Sequence, residues 1–220
     1  MISLRERLDL SREFVRRHGP EASRLLIISG CVVRGRHELS GGLISPLKVD
    51  IDNLREGSRE EAQLQNLLYD YARSLRIDAN QMVGVIKGGA RFVEGVAGEV
   101  WFGSEDRFAA RMGKKTGPEE QTLVLGDIKP KSKVWLLEDV VTQGTNSRIV
   151  AETVRKEGAT VDGILTIYSH YLVGHVDGII VWPLCNFFDL MNSLPYDPKL
   201  APYRGEFEEW HARGAKLVRL

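Results

Sequence analysis

The sequence predicts an α/β fold: a mostly parallel sheet flanked by helices, with a small N-terminal hood. Three observations lead there. From residue 81 onward, short apolar runs alternate with amphipathic stretches of helical length. Those runs are apolar at successive positions, the pattern of strands buried on both faces. Residues before about 58 do not follow that alternation and instead carry helix and hairpin signals. The expected organisation is therefore residues 1–57 as helices and hood, 58–194 as the α/β core, and 195–220 as a tail packed on it.

Each element has its own warrant. Residues 3–17 carry Leu4, Leu8, Phe14 and Val15 with charges between them, an amphipathic helix that His18-Gly19-Pro20 should stop. Residues 21–29 predict a second short helix. Residues 37–52 predict a hairpin turning at Gly41-Gly42, with Leu47, Val49 and Ile51 alternating. Residues 58–75 are the clearest helix: Ser58 can cap it, Glu61 stands three residues on, and Leu64, Leu67, Leu68 and Tyr71 share a face. The runs 82–86, 133–139, 160–169 and 178–184 predict strands. Between and after them, 90–101, 145–159 and 186–194 predict helices, the second ended by Gly158. The tail opens with Pro195, Pro198 and Pro202, and its segment EFEEWHARGAKL predicts a helix docked on the body.

Charge and composition exclude some functions. Lys plus Arg and Asp plus Glu both number 30, so the formal net charge is zero. That balance argues against a nucleic-acid or membrane-surface binder. Apolar residues make up 43 % of the chain, ordinary for a globular protein. There is no apolar run of about 18 residues to span a membrane. The opening MISLRERLDLSREF lacks the apolar core of a signal peptide. Cys31 and Cys185 stand far apart, outside any metal-type cluster, and are expected to be buried, reduced thiols of a cytoplasmic protein.

Chemistry is expected at two loops. Ligands of open parallel sheets bind beyond the C-terminal ends of the strands. Residues 84–89, GVIKGG, and 138–145, EDVVTQGT, both run from a strand into a helix. Their glycines suit a close backbone approach. The second loop ends at a helix N-terminus, where free N–H groups and the helix dipole favour an anion, and Thr142 and Thr145 add hydroxyls. A phosphate monoester fits this better than a nucleotide, since neither GxxxxGK[ST] nor GxGxxG occurs. Two acids beside a phosphate cradle would repel a second phosphate but suit sugar hydroxyls or a developing positive charge. A phosphorylated sugar meets both requirements, its phosphate in the threonine loop and its hydroxyls on Glu138 and Asp139. The plainer alternative is that the acids end a strand and a threonine caps a helix.

The motif VWLLEDVVTQGT, residues 134–145, resembles the phosphoribosyl-pyrophosphate (PRPP) motif of the type I phosphoribosyltransferases. MVGVIKGGARFVEGVA resembles the family's pyrophosphate loop. LSGGLISPLKVD is similar to the hood segment of orotate phosphoribosyltransferases, the members this chain most resembles, and RMGKKTG to their mobile loop. The resemblance spans roughly residues 20–190. It implies the type I phosphoribosyltransferase fold and transfer of ribose 5-phosphate from PRPP to a base nitrogen, with release of pyrophosphate and Mg²⁺ as cofactor. The favoured base is orotate, giving orotidine 5′-monophosphate in pyrimidine biosynthesis.

The resemblance also implies roles. Glu138, Asp139 and Lys115 are the catalytic candidates. Thr142, Gln143, Gly144, Thr145 and Asn146 would hold the 5-phosphate. Lys87, Gly88, Gly89, Arg111, Lys114 and Lys115 would hold the pyrophosphate. The basic stretch 107–121 would act as a lid shared across a homodimer. Mg²⁺ would be held mainly by PRPP and water, near Asp139, with no direct protein cage. The chain departs from the pattern at Ser40, where the hood has lysine, at Met112 and Gly117 in the mobile loop, and at Ser169-His170, where many members have Asp-Arg. Base recognition would then fall to Ser40, Lys48 and His170. A different base such as a purine, or a PRPP-binding regulator without turnover, stays open as an alternative.

Overall fold

The computed structural model describes residues 2–38, 44–85, 88–100, 111–112, 124–125, 128–169 and 174–215. The chain opens with a helix, α1 (Leu4–Ile28), capped by the Ser3 side chain. His18-Gly19-Pro20 does not stop it; the two expected helices are one. A proline inside a helix costs about 3 kcal/mol. Beyond it α1 buries Leu25, Leu26 and Ile27, each worth about 1.5–3 kcal/mol, so burial wins. Gly19 faces Asp189, where a Cβ would overlap the carboxylate. The Pro20 carbonyl accepts from Ser193 Oγ at 3.3 Å. The supposed stop signal is a place where α1 packs directly against a later helix.

The hood is an antiparallel pair, β1 (Val32–Glu38) and β2 (Ile44–Val49). The expected turn at Gly41-Gly42 lies outside the described residues. The register slips between Arg34 and His37, a bulge at Gly35, whose φ of +148° suits glycine. Arg34 then stacks on Tyr203 from the tail, 3.4 Å from guanidinium carbon to ring centroid.

The core starts with α2 (Arg59–Ser74), capped by Ser58 Oγ accepting from Glu61 N at 3.2 Å. It continues through β3 (Gln81–Gly84), α3 (Gly88–Val100), β4 (Arg111–Met112), β5 (Val124–Leu125), β6 (Lys133–Val141), α4 (Thr145–Lys156), β7 (Thr160–Ser169), β8 (Gly174–Val176), β9 (Ile179–Asn186), α5 (Phe187–Ser193) and, in the tail, α6 (Arg204–Ala215). The sheet order is β5-β4-β3-β6-β7-β9-β8. Strands β4, β3, β6, β7 and β9 are parallel, with β5 and β8 antiparallel at the edges. The sheet divides the interior. On one face Trp135, Leu137 and Leu165 join a cluster with α1, α2, α3, α5, α6 and the hood; on the other Val134, Leu136 and Ile164 pack with Val150 and Val154 of α4. Cys31 and Cys185 are free and buried, and burial foremost pushes the Cys31 thiol up to about 12.

Candidate active site at the end of the central strand

Strand β6 runs two residues further than its apolar run suggests, pairing with β7 through Val141 and Ser169. The two acids therefore lie within the strand rather than at its end. Side chains alternate across a strand, so adjacent residues point to opposite faces. Glu138 turns to the α4 side, where Ser147 Oγ donates to its Oε2. Its exposure is only 5 %. Burial, then the neighbouring Asp139 charge, pushes the Glu138 carboxyl well above the usual range. Asp139 turns to the other side, half-buried against the start of α3, where a Cβ on Gly88 would overlap its carboxylate. Burial first, then the charges of Asp52 and Asp50, push its pKa up to about 6, against backbone N–H groups that pull it down.

The expected pyrophosphate loop folds tightly onto β6. Val85 N donates to the Leu137 carbonyl at 2.8 Å, and Gly89 N to the Val85 carbonyl at 3.1 Å. A Cβ on Gly89 would overlap the Leu137 carbonyl, and one on Gly84 would overlap Ala90. These glycines admit protein backbone, not only a ligand. Lys87 lies outside the described residues.

The threonine loop behaves differently. Gly144, at φ +70°, is the N-cap of α4, with no side-chain cap. Gly144 has no side chain, so the cap residue itself offers no acceptor to the first N–H groups of the helix. Gln143, Thr145 and Asn146 are exposed, and Thr142 is half-buried. A Cβ on Gly144 would overlap Val176 of β8.

Of the base-binding candidates only Lys48 is described; Ser40 and His170 fall outside. Lys48 Nζ donates to Asp50 Oδ2 at 2.6 Å. Lys114, Lys115 and Gly117 are likewise outside the described residues. Arg111 and Met112 are described by their backbone alone, which pairs with β3 and β5. Residues of hood and helix that sequence reasoning missed are Ser147, Asp50, Asp52 and the Glu61–Arg91 pair. Only Ser147 had a signal, three residues after the capping glycine on the buried face of α4. Among the described residues no three His, Cys, Asp or Glu side chains converge on a metal-sized site, and no helix is long and apolar enough to cross a membrane.

Comparison with known proteins gives a consistent setting. No family model matches the chain. An orotate phosphoribosyltransferase of Pyrococcus abyssi is 26 % identical over 147 residues, 67 % of this chain and 79 % of that protein. One from Porphyromonas gingivalis is 40 % identical over 50 residues, 23 % of this chain and 24 % of that protein. Among solved structures, the orotate phosphoribosyltransferase of Aeropyrum pernix superposes with a TM-score of 0.64 at 21 % identity, covering 79 % of this chain and 98 % of that one. The UMP synthase of Leishmania donovani gives 0.65 at 17 % identity, covering 87 % of this chain and 42 % of that one. The fold is that of these phosphoribosyltransferase structures.

Proposed function

We propose that this chain is a phosphoribosyltransferase that moves ribose 5-phosphate from PRPP to orotate, making orotidine 5′-monophosphate and pyrophosphate. The observation that carries the reading is the pairing, at the C-terminal end of β6, of Asp139, set against Gly88, with the glycine-capped N-terminus of α4. In the reaction a base nitrogen bonds to C1 of the ribose as the C1–oxygen bond breaks. The bonding electrons leave with pyrophosphate, and the base nitrogen gives up its proton. Positive charge builds on the sugar and negative charge on the leaving group, so the site must serve both signs.

Asp139 takes the ribose hydroxyls and tolerates the cation-like sugar. Glu138, bonded to Ser147, fixes the start of α4 against β6. The amides of Thr145 and Asn146, with Thr142, Gln143 and Gly144, hold the 5-phosphate. Lys87 and the Gly88-Gly89 amides take one side of the pyrophosphate, and Arg111, Lys114 and Lys115 the other. Mg²⁺ suits the oxygen donors here, one half-buried carboxylate with Asp50 and Asp52 in electrostatic reach, and when bound it would neutralise charge on the leaving group. Ser40, Lys48 and His170 recognise the base. The protein is a cytoplasmic homodimer whose 107–121 segments each serve the partner's site.

The test is a base screen with PRPP and Mg²⁺, following pyrophosphate release. Release with orotate alone supports the proposal. Release with a purine replaces orotate by another base. PRPP binding without release under any base makes the chain a regulator. Sedimentation that finds only monomers removes the shared-lid part.

A further inference from the structure

Arg91 stands in the first turn of α3, three residues after Gly88 and so on the same helix face. Helical side chains lean toward the N-terminus, which carries this one back over the turn that abuts Asp139. Its Nε donates to Glu61 Oε1, and side-chain exposures are 21 % for Arg91 and 12 % for Glu61. Glu61 is itself held, accepting from Gly57 N at 2.6 Å. The guanidinium is thus fixed from one side. Nη2, on the same edge of the guanidinium as Nε, is buried and has no hydrogen-bond partner. A buried donor left unpaired is unfavourable, and guanidinium donors are rarely left so without a use. The neighbourhood is mapped by Cys31, whose titration feels both Asp50 and Arg91. Asp50 in turn acts on Asp139. Arg91 brings a cation to the first turn of α3, beside Glu61 of α2.

We propose that Arg91 is a substrate-binding residue of this site, its Nη2 donating to an oxygen of the diphosphate group that docks at the Gly88-Gly89 turn. This rests on the phosphoribosyltransferase reading and extends it to a residue to which the resemblance assigns no role, although it lies within the stretch 82–97 that resembles the pyrophosphate loop. The Glu61 pair orients the fork before the ligand arrives, so one nitrogen is spent on positioning and another on binding. A diphosphate oxygen would supply the missing acceptor, and a ligand lacking the diphosphate would not.

The test compares Arg91→Lys with wild type by calorimetric titration of PRPP, pyrophosphate and ribose 5-phosphate, each with Mg²⁺. Lysine keeps the charge and can still reach Glu61 but has no fork. The expected result is a loss of about tenfold or more in affinity for PRPP and pyrophosphate, with ribose 5-phosphate unchanged. Equal affinity of variant and wild type for PRPP overturns the inference, as does an equal loss for all three ligands, which marks a structural role only. If the variant does not fold, the neutral pair Glu61→Gln with Arg91→Gln removes both buried charges together, and the same ligand pattern is required of it. Wild type that binds neither PRPP nor pyrophosphate overturns the phosphoribosyltransferase reading itself, an outcome distinct from failure of Arg91 alone.

Discussion

Glu138 and Asp139 are neighbours in the chain and share a strand, yet their surroundings have little in common. Glu138 lies on the α4 side, buried and bonded to Ser147. Asp139 lies on the α3 side, half-buried against a glycine that has no side chain to cover it. The cause is the two-residue period of the strand, which sends adjacent side chains to opposite faces. An acid pair in a sequence therefore need not be a pair in space. One acid here is tied to the start of α4, and the other lies against the start of α3.

The sharpest way to break that contrast is to neutralise each acid in turn. Asp139→Asn should lower kcat/KM for pyrophosphate release by about 100-fold or more, because it removes charge facing the developing cation. Glu138→Gln should lower it by less than about tenfold and leave the melting temperature equal or higher, since the amide oxygen still accepts from Ser147 and a buried charge is gone. Equal losses from the two variants would mean that both acids meet the sugar.

A smaller effect is expected at the cover of Asp139. Gly88→Ala should cost about 1–3 kcal/mol by overpacking, or several degrees of melting temperature, and reduce activity about tenfold as Asp139 is displaced. An unchanged melting temperature would show that the α3 turn yields to a methyl group and that the tight contact is not required.

The least of the effects lies in pH. Asp139 titrates at about 6 in the folded chain, against about 3.9 for an unfolded aspartate. The folded state binds that proton more tightly. The stability it contributes is fully present below about pH 4 and is lost as pH rises to about 6. Asp139→Asn cannot ionise, so its melting temperature should gain on wild type between those values and then hold a constant lead. Asp189, also pushed up to about 6, mainly by burial, titrates in both proteins and cancels in the difference. A difference that does not change with pH would show Asp139 to be free of burial's effect.

Most of the architecture was legible in the chain. The strand at 160–169 is found with those bounds, and the helix at 58–75 within a residue at each end. Continuous apolar runs and a serine cap are local signals that tertiary contacts did not override. The error at Gly19-Pro20 has the opposite origin. Gly and Pro read as punctuation, but Gly19 is small because Asp189 lies against it, a contact across 170 positions that local pattern cannot contain. The site was legible in the same uneven way. Asp139, Gly88 and the threonine loop are the candidates that type and spacing single out. Asp50 and Asp52 prompt no reading, Glu61 reads as a helix-capping residue and Arg91 as part of a helix, because nothing in their spacing says which elements meet.

The sequence by itself determined most of the core strands and helices, and that two glycine-bearing loops follow strands. It did so because apolar periodicity and caps act over a few residues. Only the tertiary structure decided that α1 is unbroken, that one acid is bonded to Ser147 while its neighbour lies against Gly88, and that Arg91 Nη2 has no partner. Those outcomes depend on which faces are covered, and coverage is set by residues distant in the chain.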